Sequence, residues 1–358
     1  MNPTGLTELL GIEHPIVQGP FGGGLSSVAL AATVSGGGGL GSFGAHHLRP
    51  DEITTLVADL RAATTRPFAV NLWVPQPSEA GLPRGGPELA PHLERLRPYY
   101  DELGVAPPET PLTYPDFAAQ TDAVLAARPP VLSFVMGIPP AGVLDRAREA
   151  GIRTIGTATT VAEAVAIETA GFDAVVASGS DAGGHRGAFL RPVEESLVGT
   201  FSLVPQVADA VSIPVIAAGG IADGRGVAAA LTLGASGVQI GTGFLATAES
   251  NASAPHRAAL ASPAATVTVL TRLFSGRHAR AIQNAFTREL AAAERDVPGY
   301  PLQNSLMLPI RRAAAAAGNA DRLNLWSGQA APLTRPRTAA EYLETLVREA
   351  ADALAARR

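Results

Sequence analysis

The sequence of 358 residues predicts an α/β protein that folds as a (β/α)8 TIM barrel. Short runs rich in valine and isoleucine alternate with longer helical stretches, which is the pattern of β-α units around a parallel sheet. Several apolar runs are continuous, as expected for strands buried on both faces. Glycine follows three predicted helices, at Gly151, Gly171 and Gly234, where it can adopt the left-handed conformation that ends a helix. Eight such units in about 245 residues agree with the usual size of this barrel.

The eight predicted strands are all short. They are Pro15–Gln18, Leu40–Phe43, Phe68–Val74, Val131–Met136, Thr154–Thr157, Ala174–Ser178, Val215–Ala218 and Gly237–Ile240. Six helices are predicted between them: Ser26–Ser35, Pro50–Ala63, Pro139–Ala150, Thr160–Ala170, Phe201–Ala210 and Asp223–Leu233. A doubly wound sheet is the competing fold. It is disfavoured because no Gly-x-Gly-x-x-Gly motif follows the first strand, and the run Gly36–Gly39 comes after a helix and before a strand.

Two segments do not fit the repeat. The barrel is expected over residues 1–246, with an extended loop at 75–113 after the third strand. Residues 247–336 follow the eighth strand and are expected to form an inserted helical lid or substrate subdomain. A last helix, Thr338–Ala356, lies in the segment 337–358 and is expected to close the barrel. Both excursions leave the carboxyl ends of strands, where barrel active sites lie, so a lid role is expected.

Charge and hydropathy exclude several partners. The formal net charge of −5 and the pI near 5.8 argue against binding to nucleic acid or to an anionic membrane surface. No apolar run reaches the roughly 18 residues that a membrane-spanning helix needs. The first ten residues lack the basic start and the apolar stretch of a signal peptide. We therefore expect a soluble cytoplasmic protein.

The sequence contains neither cysteine nor lysine, since all 27 basic residues are arginine. Disulfides, thiolate nucleophiles and cysteine-bound metals are therefore excluded. Schiff-base chemistry is excluded as well, because it requires an amine whose pKa the protein can tune. The seven histidines have no third metal ligand at suitable spacing, so no metal site is predicted.

Glycine pairs follow the last two predicted strands. Ala218-Gly219-Gly220 ends the seventh strand, and Gln239 is followed by Gly241-Thr242 at the end of the eighth. In barrels these two loops commonly hold a phosphate group, because glycine lets backbone N–H groups approach the oxygens closely. The sequence therefore predicts a phosphate site there, to which Thr242 can add a hydroxyl donor.

Further candidate residues follow the other strands. The run Gly19–Gly24, which includes Pro20 and Phe21, suggests that the backbone passes close to a flat ligand. Asn71 lies within an apolar strand, where its amide must either bind a neighbouring strand or contact a cofactor. His185 lies in a glycine-rich loop after the sixth strand and is predicted to act as a general acid or base. His46 and His47 are weaker candidates for the substrate site.

Together these residues resemble the nitronate monooxygenases, formerly called 2-nitropropane dioxygenases. The resemblance extends from about Gly11 to Gln329. Its motifs are Gln18-Gly19-Pro20, Gly38-Gly39-Leu40-Gly41, Asn71, Ser133-Phe134, Asp181-Ala182-Gly183-Gly184-His185, Ala217–Ile221, Gly241-Thr242, Glu249-Ser250, Ser275-Gly276-Arg277, Ala279-Arg280 and Trp326-Ser327-Gly328-Gln329. The Ala-Gly-Gly-His segment is the most specific of them.

The resemblance implies that FMN binds across the barrel mouth and that His185 is the active-site histidine. In this family a nitronate passes an electron to FMN, O2 reacts, and the products are a carbonyl compound and nitrite. The implied cofactor residues are Gln18, Gly19, Pro20, Phe21, Asn71, Ser178, Asp181, Gly183, Gly184, Ala218, Gly219, Gly220, Gln239, Gly241 and Thr242. The implied substrate residues are Phe21, His46, His47 and Met136.

Several positions depart from the family pattern. Phe21 stands where methionine is frequent, Ser178 where glutamine is expected, and Asp181 where glutamate is usual. Val135 and Met136 make the wall after the fourth strand apolar. The substrate therefore stays open, as does the oligomeric state.

Two other functions stay open. One is an NAD(P)H-dependent quinone or enoyl reductase on the same FMN barrel, in which arginines such as Arg277 or Arg280 would dock the nicotinamide cofactor. The other is a catalytically idle barrel that only binds a flavin, because a fold does not by itself establish activity.

Overall fold

The computed structural model describes residues 3–356, and eight parallel strands form its central sheet. The strands of this sheet are β1 (Ile16–Gln18), β2 (Gly41–Gly44), β3 (Phe68–Trp73), β4 (Val131–Val135), β5 (Arg153–Ala158), β6 (Ala174–Ser178), β8 (Val215–Ala218) and β9 (Gly237–Ile240). Their order around the sheet is β1-β9-β8-β6-β5-β4-β3-β2, and a parallel bridge between Val17 and Leu40 joins its two ends. The predicted (β/α)8 TIM barrel is confirmed.

Fourteen α-helices lie within the described residues. They are α1 (Gly5–Leu10), α2 (Val28–Gly36), α3 (Pro50–Ala63), α4 (Ala90–Leu103), α5 (Phe117–Ala127), α6 (Val143–Glu149), α7 (Val161–Ala170), α8 (Thr200–Ala210), α9 (Gly224–Thr232), α10 (Thr242–Leu245), α11 (Ala254–Leu260), α12 (Ala285–Glu289), α13 (Leu302–Ala316) and α14 (Ala339–Ala355). No helix within residues 3–356 is long and apolar enough to cross a membrane.

Two apolar layers hold the barrel together. One fills the inside of the ring, where side chains such as Val17, Ala69 and Ile216 pack with Leu6 and Leu10 of α1. Because α1 packs on residues at the starts of the strands, it closes the amino-terminal end of the barrel. The second layer lies between the strands and the surrounding helices and is larger. The opposite, carboxyl end of the barrel is therefore the end left for a site.

Helix α14 packs against α9 and α2 on the outside of the barrel. Thr338 and Glu341 form a capping box at its start, and the Tyr342 hydroxyl donates a 2.7 Å hydrogen bond to the carbonyl oxygen of Ala222. At Gly224 a side chain would collide with Glu349, so glycine permits the close approach of α9 and α14.

The structure differs from the sequence-based prediction mainly in its helices, and α1 and α5 were not predicted. The strand ends agree within one residue, but α6 begins at Val143 rather than Pro139, because Gly142 at its amino end is left-handed. The predicted extended loop at 75–113 contains α4, whose apolar face includes Leu96, Tyr99 and Tyr100. Pro98 lies inside this helix and hid it from a propensity argument.

A small second sheet was not predicted. It consists of β7 (Gly184–His185), β10 (Thr268–Thr271) and β11 (Ala279–Ile282), paired antiparallel in the order β10-β11-β7. This sheet joins the loop after β6 to the segment predicted as an insertion. The division into barrel, insertion and closing helix stays a prediction, and its residues 1–2 and 357–358 lie outside the described residues.

Candidate active site

His185 lies in β7, within the loop that follows β6 at the carboxyl end of the barrel. Its neighbour in β11 is Ala279, so the antiparallel pairing fixes the backbone of this loop. At Gly183 a side chain would collide with the backbone of Ser327 and Gly328, and Gly184 has a φ of +73°. Both glycines are therefore required by the local conformation. They set the position from which the imidazole projects.

Two tryptophan rings contact the imidazole of His185. The ring centroid of Trp73 lies 4.7 Å away and that of Trp326 lies 5.1 Å away, both edge to face. Burial, with a smaller contribution from the nearby charge of Arg311, lowers the pKa of His185 to about 3. The imidazole is therefore neutral at neutral pH in the structure as it stands.

Ser275 determines which nitrogen of His185 carries the proton. His185 Nε2 lies 2.8 Å from Ser275 Oγ, and that hydroxyl donates a 3.1 Å hydrogen bond to the carbonyl oxygen of Arg277. Because the hydroxyl hydrogen is used, Ser275 Oγ accepts a hydrogen bond from His185 Nε2–H. The lone pair that can take up a proton is then on Nδ1.

His46 extends the aromatic cluster. Its ring stacks on Trp73 with centroids 3.6 Å apart and planes 8° apart. Burial holds the pKa of His46 well below its ordinary value, so it is uncharged. His47 is exposed, with its ring 5.4 Å from that of His46. At Gly22 a side chain would collide with the His46 ring, so this glycine leaves the space that the ring fills.

A charged cluster lies next to Trp73. The Arg277 guanidinium is 5.5 Å from the Trp73 ring and 4.7 Å from the Tyr300 ring, and it forms an ion pair with Glu79. Arg311 Nη2 donates to the carbonyl and side-chain oxygens of Asn304 at 3.0 and 2.8 Å. Burial lowers the pKa of Arg277 and of Arg311 to about 10, which leaves both charged at neutral pH.

The two glycine loops at β8 and β9 lie side by side, as predicted. Ala218 pairs in register with Gln239. Gly219 and Gly220 have φ values of +108° and +68°, and a Cβ at Gly219 would lie 2.7 Å from Thr200 Oγ1. At β9, Thr242 Oγ1 accepts a 2.9 Å hydrogen bond from the Gly328 N–H, which leaves the hydroxyl hydrogen of Thr242 available to a ligand.

The segment that follows β1 packs against the Gly241 loop. Gly19 N–H donates to the Ile240 carbonyl oxygen at 2.9 Å, and a Cβ at Gly19 would lie 3.2 Å from Gly241 Cα. The Phe21 ring, which follows Pro20, lies 3.9 Å from where a Cβ of Gly241 would be. The predicted residues Gly19, Pro20 and Phe21 therefore stand at the edge of the Gly241 loop.

Several predicted cofactor residues use their side chains for hydrogen bonds within the protein. Gln18 has no exposed surface, and its side chain bonds the backbone of Gly19 and Ser42. Asn71 Nδ2 donates to Ser133 Oγ at 2.9 Å, joining β3 to β4. Asp181 Oδ2 accepts a 2.7 Å bond from the Thr200 N–H at the start of α8. These contacts brace the strand ends.

Arg186 was missed by the sequence analysis. It is 3% exposed, and its guanidinium donates to the carbonyl oxygens of Gly179 and Ser178 at 2.5 and 2.8 Å. It thereby fixes the end of β6, where Ser178 was predicted to face the cofactor. The signal was present in the sequence, because Arg186 directly follows the histidine of the most specific motif.

Met136 directly follows β4, and its backbone lies beside Gly187. It is 2% exposed, has a φ of +72°, and lines a cavity of about 430 Å³ between the ends of β3 and β4 and residues 188–193. A second cavity, of about 440 Å³ between α9 and α14, contains none of the predicted site residues. Within residues 3–356 no group of three acidic or histidine side chains is arranged to hold a metal ion.

Comparisons with known proteins agree with this arrangement. A model of the nitronate monooxygenase family matches residues 4–349. A probable nitronate monooxygenase of Staphylococcus aureus is 42% identical over 350 residues, which cover 97% of each chain. The structure is similar to nitroalkane oxidase from Streptomyces ansochromogenes, with a TM-score of 0.91 and 40% identity over 99% of each chain. It is also similar to FabK from Thermotoga maritima, with a TM-score of 0.78 and 30% identity over 100% of this chain and 99% of the other. The chain therefore belongs to the nitronate monooxygenase family, a family of flavin-dependent oxidoreductases.

Proposed function

We propose that the enzyme binds FMN and oxidises nitronates or nitroalkanes with O2, releasing a carbonyl compound and nitrite. The observation that carries this proposal is the setting of His185, a neutral imidazole between two tryptophans at the carboxyl end of the barrel. A small-molecule substrate and O2 would be its partners, and the cytoplasm its place of action.

The residues at the barrel mouth fit FMN. Gly219 and Gly220 have left-handed backbones, and Gly19 and Gly241 approach each other closely. Because these positions carry no side chain, a phosphate can reach the backbone N–H groups and a flat ring can lie beside them. In this proposal Gly220, Gly241 and Thr242 hold the phosphate. Asn71 and Ser178 lie near the ring, with the other predicted residues around them. FMN, when bound, supplies the redox chemistry by accepting electrons from the substrate.

His185 moves or orients a proton in this proposal. With Nε2–H held by Ser275, Nδ1 accepts the proton of a neutral nitroalkane. The anion formed beside it then raises the low pKa of the imidazole and favours the protonated form. A nitronate needs no proton removed, and His185 then orients it. The tryptophan rings cover part of the imidazole.

The predicted insertion contributes to this setting. Ser275, Tyr300 and Trp326 all come from residues 247–336, and each contacts His185 or Trp73. These contacts support a substrate-covering role for the segment, as was predicted.

A reductase is the second candidate, supported by the similarity to FabK. It needs a docking point for a nicotinamide cofactor, for which Arg277 and Arg280 were the candidates. Arg277 is paired with Glu79, and Arg280 donates to the Ser180 carbonyl oxygen at 2.9 Å and to Thr268 Oγ1 at 3.1 Å. The Arg280 guanidinium is thus engaged within the chain, and the Arg277 side chain is only 10% exposed, so neither offers an open docking point for a large nicotinamide cofactor, which favours the oxidative function.

The test is anaerobic mixing of the FMN-loaded enzyme with propionate 3-nitronate, and separately with NADH and NADPH. We expect the flavin absorbance to change rapidly with the nitronate and little with either nicotinamide. Admission of air should then yield nitrite. Rapid bleaching by NADH or NADPH without a response to the nitronate would assign the enzyme to the reductases.

A further inference from the structure

We infer that Arg277 is the anion-binding group of the substrate site and that the Glu79 carboxylate holds the place of the substrate anion until the substrate arrives. This inference deepens the proposed function and rests on it for the identity of the substrate. It concerns a cluster formed by Glu79, Trp73, Arg277 and Tyr300, which we call the arginine pocket.

The guanidinium of Arg277 is nearly buried, and some of its N–H donors have no hydrogen-bond acceptor. Its side chain is 10% exposed and that of Glu79 is 12% exposed. Among residues 3–356, Arg277 Nε and Nη1 have no hydrogen-bond partner. Leaving charged donors without acceptors in a buried place is unfavourable, so the pocket is incomplete without a further acceptor.

Two neighbouring arginines, unlike Arg277, have acceptors for their guanidinium N–H groups. Arg186 donates to two backbone carbonyl oxygens, and Arg280 donates to Ser180 and Thr268. Both of these side chains fix the loop after β6, which is a structural task. Arg277 holds no backbone oxygen in this way. Its fork of N–H groups matches the two oxygens of a carboxylate or a nitronate.

The arginine pocket is next to His185. Trp73 contacts the rings of His185 and Tyr300 and the guanidinium of Arg277. The Ser275 hydroxyl bonds to the imidazole of His185 and to the backbone of Arg277. An anion on Arg277 therefore lies within reach of the imidazole.

The charges favour an anion here. Arg277 and Arg311 bring two positive charges, Glu79 brings one negative charge, and His46 and His185 are neutral. If a substrate anion takes the place of the Glu79 carboxylate, Arg277 keeps an ionic partner and gains acceptors for its free N–H groups. The exchange makes and breaks no covalent bond.

Glu79 is placed so that it can leave. It ends a short 3-10 turn, Pro77–Glu79, in the segment rich in proline and glycine after β3. The base of this segment is held by Gln76, whose Nε2 donates to the Ala188 carbonyl oxygen at 2.9 Å. Gly81, two residues beyond Glu79, is left-handed and faces open space. The turn can therefore rotate the carboxylate outward while its base stays attached.

The test is a binding titration that needs no turnover. Trp73 and Trp326 are the two tryptophans of the chain, so the fluorescence of the FMN-loaded enzyme reports on this site. With propionate as the probe anion, we expect Arg277→Gln to weaken binding about tenfold or more, the effect of losing a charge-assisted hydrogen bond. Arg295→Gln removes an exposed positive charge and is the control, for which we expect unchanged binding.

Glu79→Gln gives a result of opposite sign. If Glu79 competes with the substrate anion, the amide should let propionate bind several-fold more tightly and should lower the KM for a nitronate with a smaller change in kcat. Weaker binding in Glu79→Gln, or unchanged binding in Arg277→Gln, would overturn the inference. Because propionate is not turned over, these binding results test the role of Arg277 and Glu79 even if the enzyme proves to be a reductase.

Discussion

The two sides of the barrel mouth are built from different parts of the chain. At β8 and β9 the surface is backbone, shaped by Gly219, Gly220 and Gly241. Around His185 it consists of side chains brought together from distant segments, among them Trp73 and Trp326. The backbone side suits a group common to a whole family, while the side-chain side can vary with the substrate. Substitutions on the two sides should therefore separate cofactor binding from turnover.

The largest expected effect separates the two sides directly. Replacing His185 by Ala should reduce turnover of a nitroalkane by about two orders of magnitude or more, because a positioned acid–base group is lost. FMN content, measured by flavin absorbance after gel filtration, should stay unchanged. His14→Gln, in the segment before β1, is the control. Unchanged turnover would remove His185 from the mechanism.

The converse substitution is Gly219→Ala. A Cβ there would meet Thr200 Oγ1 at 2.7 Å and the Ala182 nitrogen at 2.9 Å, at a φ that strains any L-residue. We expect FMN affinity to fall about tenfold, measured by fluorescence titration of the apoenzyme. Gly151→Ala is a matched control, since Gly151 is also left-handed but faces open space at the other end of the barrel. An equal loss of FMN affinity in both variants would contradict a specific role of Gly219 in cofactor binding.

Lowering the pH should reduce the free energy of unfolding, because the fold keeps buried histidines on the side-chain side of the mouth neutral. Burial lowers the pKa of His185 to about 3 and of His256 to about 4, from an ordinary value of 6.5. The unfolded chain therefore binds protons first, so stability is complete above about pH 6.5 and falls as the pH drops towards the folded-state values. Between pH 6.5 and 5 each histidine should cost up to about 2 kcal/mol.

Urea unfolding at several pH values measures this effect. His256→Gln should reduce the pH dependence of the unfolding free energy, and His92→Gln, near the surface of α4, should reduce it less. A slope that is the same in the wild type and in His256→Gln would show that this imidazole is not kept neutral by the fold.

The smallest expected effect concerns the tautomer of His185. Ser275→Ala removes the acceptor for Nε2–H, so a fraction of the imidazole would carry its proton on Nδ1 and be unable to act as a base. We expect kcat for a neutral nitroalkane to fall by up to about tenfold. Turnover of a preformed nitronate, which needs no deprotonation, should change less. Equal losses for both substrates would argue against the tautomer role.

The sequence predicted the backbone side of the mouth well, for a physical reason. Strands and their glycine loops depend on nearby residues, and successive parallel strands are neighbours, so Gly220 and Gly241 could be placed together without coordinates. His185 could be placed at the mouth in the same way. Helix α4 was hidden because Pro98 lies within it, and tertiary packing of Tyr99 and Tyr100 overrides that proline.

The side-chain half could not be assembled from the sequence. Trp73 ends β3, Arg277 precedes β11 and Tyr300 precedes α13, and no local pattern shows that these residues meet. Ser275-Gly276-Arg277 and Trp326 entered the prediction as parts of family motifs, and Arg277 also as a candidate docking residue for a nicotinamide cofactor. Gly276 offered one signal, because its left-handed backbone lets the segment Pro298–Tyr300 pack against it.

The separation of the two sides along the chain has a consequence for synthesis. A growing chain that has emerged as far as Thr242 contains both glycine loops, the first strand and His185. It still lacks Ser275 and Trp326, which contact the imidazole, and Tyr300, which packs on Trp73. Domains form from the amino-terminal end during translation. The two glycine loops are thus complete in sequence well before His185 is enclosed, and the side-chain half of the mouth is the last to be assembled.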